Sequence, residues 1–142
     1  MKYLGVIRLK EKTLALSALK ARKLAYAPYS RFLVGAAVLI ENGKIYDGCN
    51  IENSSFSATV CAERTAVFKA VSDGESRIAA IAIAGAGDGF DMELPDYTPP
   101  CGVCLQVLSE FGKDDMRILL VKSENDYKEY SLKELFPKAF SL

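Results

Sequence analysis

The 142 residues include no histidine and no tryptophan. Without histidine, any metal site in this chain rests on thiolates and carboxylates, and any proton transfer near neutral pH rests on a side chain whose surroundings shift its pKa. Charge of one sign is also missing. Eighteen Lys and Arg balance eighteen Asp and Glu. The chain therefore has no overall field to hold DNA or RNA, whose binding depends on neutralising phosphates, and a small, weakly charged substrate fits better. The first twelve residues, MKYLGVIRLKEK, carry only short apolar pieces interrupted by Arg8 and Lys10. They match neither a secretory signal nor a membrane span, so no membrane partner is expected and the expected location is cytoplasmic. In a reducing compartment the four cysteines are not structural disulfides, which leaves metal binding or redox chemistry.

Half of the residues are hydrophobic, enough for one substantial core at this length, and residues 1–142 read as a single domain. Residues 1–9 receive no assignment. Lys10 to Tyr26 lacks glycine and proline and repeats leucine and alanine among lysines, which predicts a helix stopped ahead of Pro28. Val34–Ile40 and Lys44–Asn50 form apolar runs around Glu41-Asn42-Gly43 and predict a hairpin. A polar loop follows to Val60, then a helix from about Cys61 to Val71. Ile78–Ala84 reads as a strand covered on both faces. Gly85–Pro100 reads as an irregular loop, Cys101–Phe111 as a helix, Arg117–Val121 and Tyr127–Ser131 as strands, and Leu132–Phe136 as a final helical turn. Helices interleaved with about five strands predict an α/β fold, a three-layer α/β/α sandwich around a mixed five-stranded sheet.

Three of the four cysteines stand in two short motifs, Cys61 in TVCAERTA and Cys101 and Cys104 in PPCGVCLQ. Three thiolates are a catalytic zinc set, because the fourth tetrahedral position stays open for water. Both motifs fall at predicted helix starts, where free amides and the positive end of the dipole favour the thiolate. Glu63 lies two residues beyond Cys61, displaced around the helix from the ligand, and reads as a proton shuttle. Arg64, one turn from Cys61, is placed to donate to sulfur and offset the excess negative charge of three thiolates. Each residue also has a plainer reading: a redox pair for CGVC, a solvated face for Arg64, a small core residue for Cys49.

These motifs resemble the homotetrameric zinc-dependent cytidine deaminases, in AYAPYSRFLVGAAV, GCNIENSSFSATVCAERTAVFKAVSDGE, PPCGVCLQVLSEF and FPKAF. The resemblance implies Zn²⁺ as cofactor and hydrolytic deamination of cytidine and 2′-deoxycytidine, with Glu63 moving the protons. It implies substrate contacts from Phe32, Asn50, Glu52, Ala62 and Phe140, with Asn50 and Glu52 on the sugar hydroxyls and Phe140 entering a neighbouring subunit's site. A homotetramer with shared active sites follows from the same resemblance. Two positions depart from the family pattern: Leu105 stands where arginine is usual, and Phe56 where tyrosine is usual. A deaminase of another aminated pyrimidine nucleoside or a nucleoside antibiotic remains open on the residues, as does a non-catalytic module stapled by a four-ligand zinc.

Overall fold

The computed structural model describes residues 2–142, with side chains from residue 10 onward. In chain order the elements are α1 (Lys2–Arg22), β1 (Phe32–Ile40), β2 (Ile45–Cys49), a 3₁₀ turn (Phe56–Ala58), α2 (Ala62–Ser72), β3 (Ile78–Gly87), α3 (Gly102–Phe111), β4 (Gly112–Ser123), β5 (Asp126–Ser131) and α4 (Leu132–Leu135). The sheet order is β2-β1-β3-β4-β5. β3 and β4 are parallel, and every other neighbouring pair is antiparallel.

Alternation along the strands sorts the core into two layers. Ala36, Val38, Ile40, Ile81, Ile83, Ile118 and Leu120 face one side and pack on Ala62, Ala66, Val67 and Ala70 of α2, Leu108 of α3 and Leu132 of α4. Ala37, Ala80, Ala82, Ala84, Leu119 and Val121 face the other side and meet Leu14, Ala15, Ala18 and Leu19 of α1. The result is the expected three-layer α/β/α sandwich, with a mixed sheet between one helix and three. The α1 layer is lined mostly by alanines, so the helix sits close to the sheet. A Cβ on Gly35 would lie 2.0 Å from the Ala18 carbonyl oxygen and 2.4 Å from Arg22 N.

Several element boundaries differ from expectation, each for a tertiary reason. The first helix ends at Arg22 and not at Tyr26. Lys23, Leu24 and Ala25 amides turn back to the carbonyls of Lys20, Ala21 and Arg22, and Tyr26 is drawn into an extended bridge: its amide donates to Asn50 O at 3.0 Å and its carbonyl accepts from Glu52 N at 2.8 Å. Local helix propensity is a weak preference beside such pairing. β3 runs on through Gly85, Ala86 and Gly87, which were expected in a loop, because they pair with Val34, Leu33 and Phe32 of β1. β4 begins at Gly112, ahead of the expected Arg117, because Gly112 pairs with Ile78 before the register shifts. The hairpin forms with Gly43 at φ 96°, a conformation glycine adopts without steric cost.

The start of α4 is fixed locally by a reciprocal capping box between Ser131 and Glu134. A partly buried polar cluster ties α1 to the far strands: Arg117 and the Tyr127 hydroxyl both donate to Glu11, and Arg117 also donates to Glu129.

Candidate active site

The two cysteine motifs lie at the N-termini of neighbouring helices. Cys61 is the N-cap of α2 and Cys101 the N-cap of α3, both with extended backbone, and neither side chain caps its own helix by a hydrogen bond. Cys104 lies in the first turn of α3 and is fully buried. The helix-start amides and dipoles therefore remain available to stabilise negative charge at the sulfurs.

Local structure delivers each cysteine to this point. Ile51 and Val60 exchange backbone hydrogen bonds at 2.9 and 3.0 Å, closing the Asn50–Val60 loop and leading directly into Cys61. α2 lies against β2, where a Cβ on Gly48 would come within 2.6 Å of Ala66 N. On the other arm, Thr98 Oγ1 donates to Gly85 O at 3.0 Å and anchors the loop that carries Pro99 and Pro100 into Cys101.

The sulfurs of Cys61, Cys101 and Cys104 lie within 4.8 Å of one another, and Cys61 Sγ to Cys101 Sγ is 3.9 Å. Tetrahedral zinc with Zn–S bonds of about 2.3 Å sets its sulfurs about 3.8 Å apart, so the donor set fits zinc in both chemistry and spacing. Cys49 is not part of this cluster. It sits half-buried at the end of β2, where burial raises its thiol pKa. The four-ligand alternative thus lacks a fourth thiol among the described residues.

The electrostatics of the cluster are uneven. Hydrogen bonding from Cys104 brings the Cys61 thiol down to about 5, against the opposing effect of burial and with help from Arg64. Cys104 moves the opposite way, because its proton is shared with the Cys61 thiolate and burial disfavours a second charge. The pair thus holds one proton between two sulfurs. Arg64 Nη2 donates to Cys61 Sγ at 3.3 Å, and this bond raises the guanidinium pKa. Arg64 Nε is buried without a hydrogen-bond partner.

Glu63, on the first turn of α2, is 5% exposed. Burial raises its carboxyl pKa, and the nearby Cys61 charge adds to the effect. A carboxyl raised in this way is suited to taking and giving protons near neutral pH. Ala62, between ligand and acid, is wholly buried.

The remaining sequence-predicted residues divide into two groups. Phe32 and Asn50 meet at the start of β1. Asn50 Oδ1 accepts from Val34 N and its Nδ2 donates to Phe32 O, both at 2.8 Å, so the amide clamps the strand around Phe32. Glu52 accepts from the backbone amides of Tyr29 and Ser30 at 3.0 and 3.1 Å and from the Ser30 hydroxyl. The Ser30 hydroxyl is the main reason its pKa is lowered. Tyr29, Ser30, Glu52, Phe56 and Thr59 line an open cavity of about 420 Å³. Phe56 packs edge-to-face on Tyr29, with ring centroids 6.0 Å apart.

Phe140 stands apart from these residues. Its carbonyl accepts from Gln106 Nε2 at 3.0 Å, and the residue is 68% exposed beside a separate cavity under the C-terminus. Leu105, where arginine is usual in the family, carries no group that donates to sulfur. It is half-buried and packs against the core layer beneath α2 and α3, where an apolar side chain is the natural occupant.

Sequence reasoning missed Ser30, Thr98 and Arg22, which hold the loops around the site. The turn residues in AYAPYS and the Thr-Pro-Pro preceding Cys101 were the available signals. Arg22 gave none, because a cation at the end of a helix reads as solvated.

Residues 9–120 match the family described as the cytidine and deoxycytidylate deaminase zinc-binding region. The chain is 51% identical over 122 residues to the cytidine deaminase of Sporosarcina psychrophila, covering 86% of this chain and 85% of that protein. It is 45% identical over 124 residues to the cytidine deaminase of Halalkalibacterium halodurans, covering 87% and 89%. The crystal structure of cytidine deaminase from Burkholderia pseudomallei superposes with a TM-score of 0.80 at 42% identity, over 90% of this chain and 97% of that one. That from Mycobacterium tuberculosis gives 0.76 at 37% identity, over 92% and 96%. With three thiol sulfurs at zinc spacing on two helix N-termini and a buried glutamate beside them, the chain belongs to the cytidine and deoxycytidylate deaminase zinc-binding family.

Proposed function

We propose that this protein hydrolyses cytidine and 2′-deoxycytidine to uridine and 2′-deoxyuridine with release of ammonia, in pyrimidine salvage. The observation that carries this reading is the convergence of Cys61, Cys101 and Cys104 with the buried Glu63 at one point in the fold. Zinc held by these three sulfurs supplies Lewis-acid activation of water. Glu63 accepts a proton from the water that attacks C4 of the cytosine ring and passes it to the ring nitrogen. It carries a second proton to the exocyclic amino group, which leaves as ammonia while C4 keeps the oxygen. Burial supports both transfers by raising the carboxyl's pKa above the ordinary carboxylate range, so that it takes up a proton more readily. Arg64 spreads positive charge onto the Cys61 sulfur.

On this reading Phe32 walls the base, the Ala62 backbone borders it, and Asn50 and Glu52 meet the sugar hydroxyls with the hydrogen-bonding capacity left over from their backbone bonds. The exposed Phe140 is the residue offered to a neighbouring subunit in a homotetramer, and residues 1–142 act as one catalytic domain. Among the described residues no helix is long and apolar enough to cross a membrane, in keeping with a cytoplasmic enzyme acting on a free nucleoside.

A substrate panel on zinc-loaded protein, scored for released ammonia, tests this function. Turnover of cytidine and 2′-deoxycytidine with little on free cytosine is expected, because hydroxyl-binding groups left unpaired weaken transition-state binding. Turnover of cytosine as fast as of cytidine removes the sugar-binding role. No turnover of either nucleoside removes the function.

A further inference from the structure

Arg22 is the last residue of α1, and at 1% exposure it is the largest fully buried side chain among the described residues. Its guanidinium has five N–H groups, and all five meet backbone carbonyls. Nε donates to Leu33 O at 3.0 Å, Nη1 to Phe90 O at 2.8 Å and to Asp91 O at 3.4 Å, and Nη2 to Ala86 O at 2.9 Å and to Gly87 O. No carboxylate bonds it directly. Asp91 pairs with Lys23 and Asp88 with Arg31, so the nearby acids are engaged by other cations. A buried cation that no carboxylate bonds directly is an expensive way to hold a fold. Its value lies in the geometry it imposes.

That geometry concentrates on one residue. Leu33 follows Phe32 directly, and Gly87 is the β3 partner of Phe32 while Ala86 is that of Leu33. The guanidinium therefore locks the ends of β1 and β3 to each other and to the Phe90–Asp91 loop, from the α1 side of the sheet. From the β2 side, Asn50 grips Phe32 O and Val34 N. Arg31, immediately before Phe32, adopts φ 55°, an uncommon left-handed conformation for a non-glycine residue, and its carbonyl accepts from Asp88 N at 3.1 Å. Such a conformation persists only where the surroundings over-determine it. The close seat of α1 at Gly35 fixes how far Arg22 reaches.

We propose that Arg22 is a positioning residue for the deaminase site, holding Phe32 at the angle that walls the base. The proposal rests on the function proposed above. Lysine does not replace it, because an ammonium carries three donors on a single point and cannot span carbonyls on two strands and a loop.

The test compares Arg22→Lys with the unaltered enzyme, alone and on a Phe32→Ala background, with zinc content and folding checked by metal assay and circular dichroism. The expected result is one zinc per chain, KM for cytidine raised about 10-fold, and kcat within about threefold, because a displaced wall weakens binding more than chemistry. On the Phe32→Ala background, Arg22→Lys should add little further change, since coupled residues are not additive. A merely structural role predicts additive effects and zinc loss in step with stability, and either result overturns the proposal. Unchanged KM in Arg22→Lys also overturns it. Should Arg22→Lys fail to fold, Arg22→Gln takes its place, and if neither folds, Arg22 is a requirement of the fold and the positioning role is rejected. Failure of the unaltered, zinc-loaded protein to deaminate any nucleoside counts instead against the proposed function.

Discussion

Arg64 Nη2 lies 3.3 Å from Cys61 Sγ, with both residues at the first turn of α2. Three thiolates on a divalent zinc leave a net charge near −1, and an electron-rich zinc acidifies water poorly. A leucine at position 105 cannot donate to sulfur, so the charge on the sulfurs is offset mainly by Arg64 and the two helix N-termini.

Arg64→Gln should therefore lower turnover about 10- to 100-fold and weaken zinc binding, the usual consequence of removing a group that tunes a metal ligand. Steady-state kinetics beside a chelator competition read both effects. Full turnover with unchanged zinc affinity would return Arg64 to an ordinary helix position.

Zinc loading should release protons in a pH-dependent number, because zinc binds thiolates. Cys61 is already deprotonated above about 5. At neutral pH its share of the release is therefore absent, while Cys104 still carries a proton to lose. Below about 5 Cys61 regains its proton, so each zinc bound should release about one more proton, and affinity should fall steeply with decreasing pH. Calorimetry in buffers of different ionisation enthalpy counts these protons. An equal count on both sides of that pH contradicts the depressed Cys61.

Gly35→Ala should destabilise the protein by about 3 kcal/mol, since the added Cβ meets rigid helix backbone that cannot repack. Denaturant unfolding measures the loss. A neutral result would mean that α1 lifts off the sheet at little cost.

Much of the site was legible because its chemistry is written in contiguous motifs. Cys61, Glu63 and Arg64 share one helical turn, and Cys101 and Cys104 share another. The three layers were legible because β1, β3 and β4 are apolar runs and the helices carry leucine and alanine at helical spacing. What was hidden depends on partners far away in the chain. Tyr26 leaves its helix for Ile51, Gly85–Gly87 become strand through β1, and Arg22 is buried by carbonyls 11 to 69 residues away. Asn50 stands at the end of an expected strand in sequence, and only the fold shows that its amide bonds the strand around Phe32.

The central claim is that three cysteines hold the zinc while Glu63 moves the protons, and Glu63→Gln tests it most directly. Glutamine keeps the size of the buried side chain and removes its proton transfer, so the variant should retain one zinc per chain while kcat for cytidine falls about 100- to 10,000-fold. Zinc content by elemental analysis and ammonia release by steady-state assay are measured on the same preparation. Retained deamination, or loss of zinc together with activity, would contradict the account.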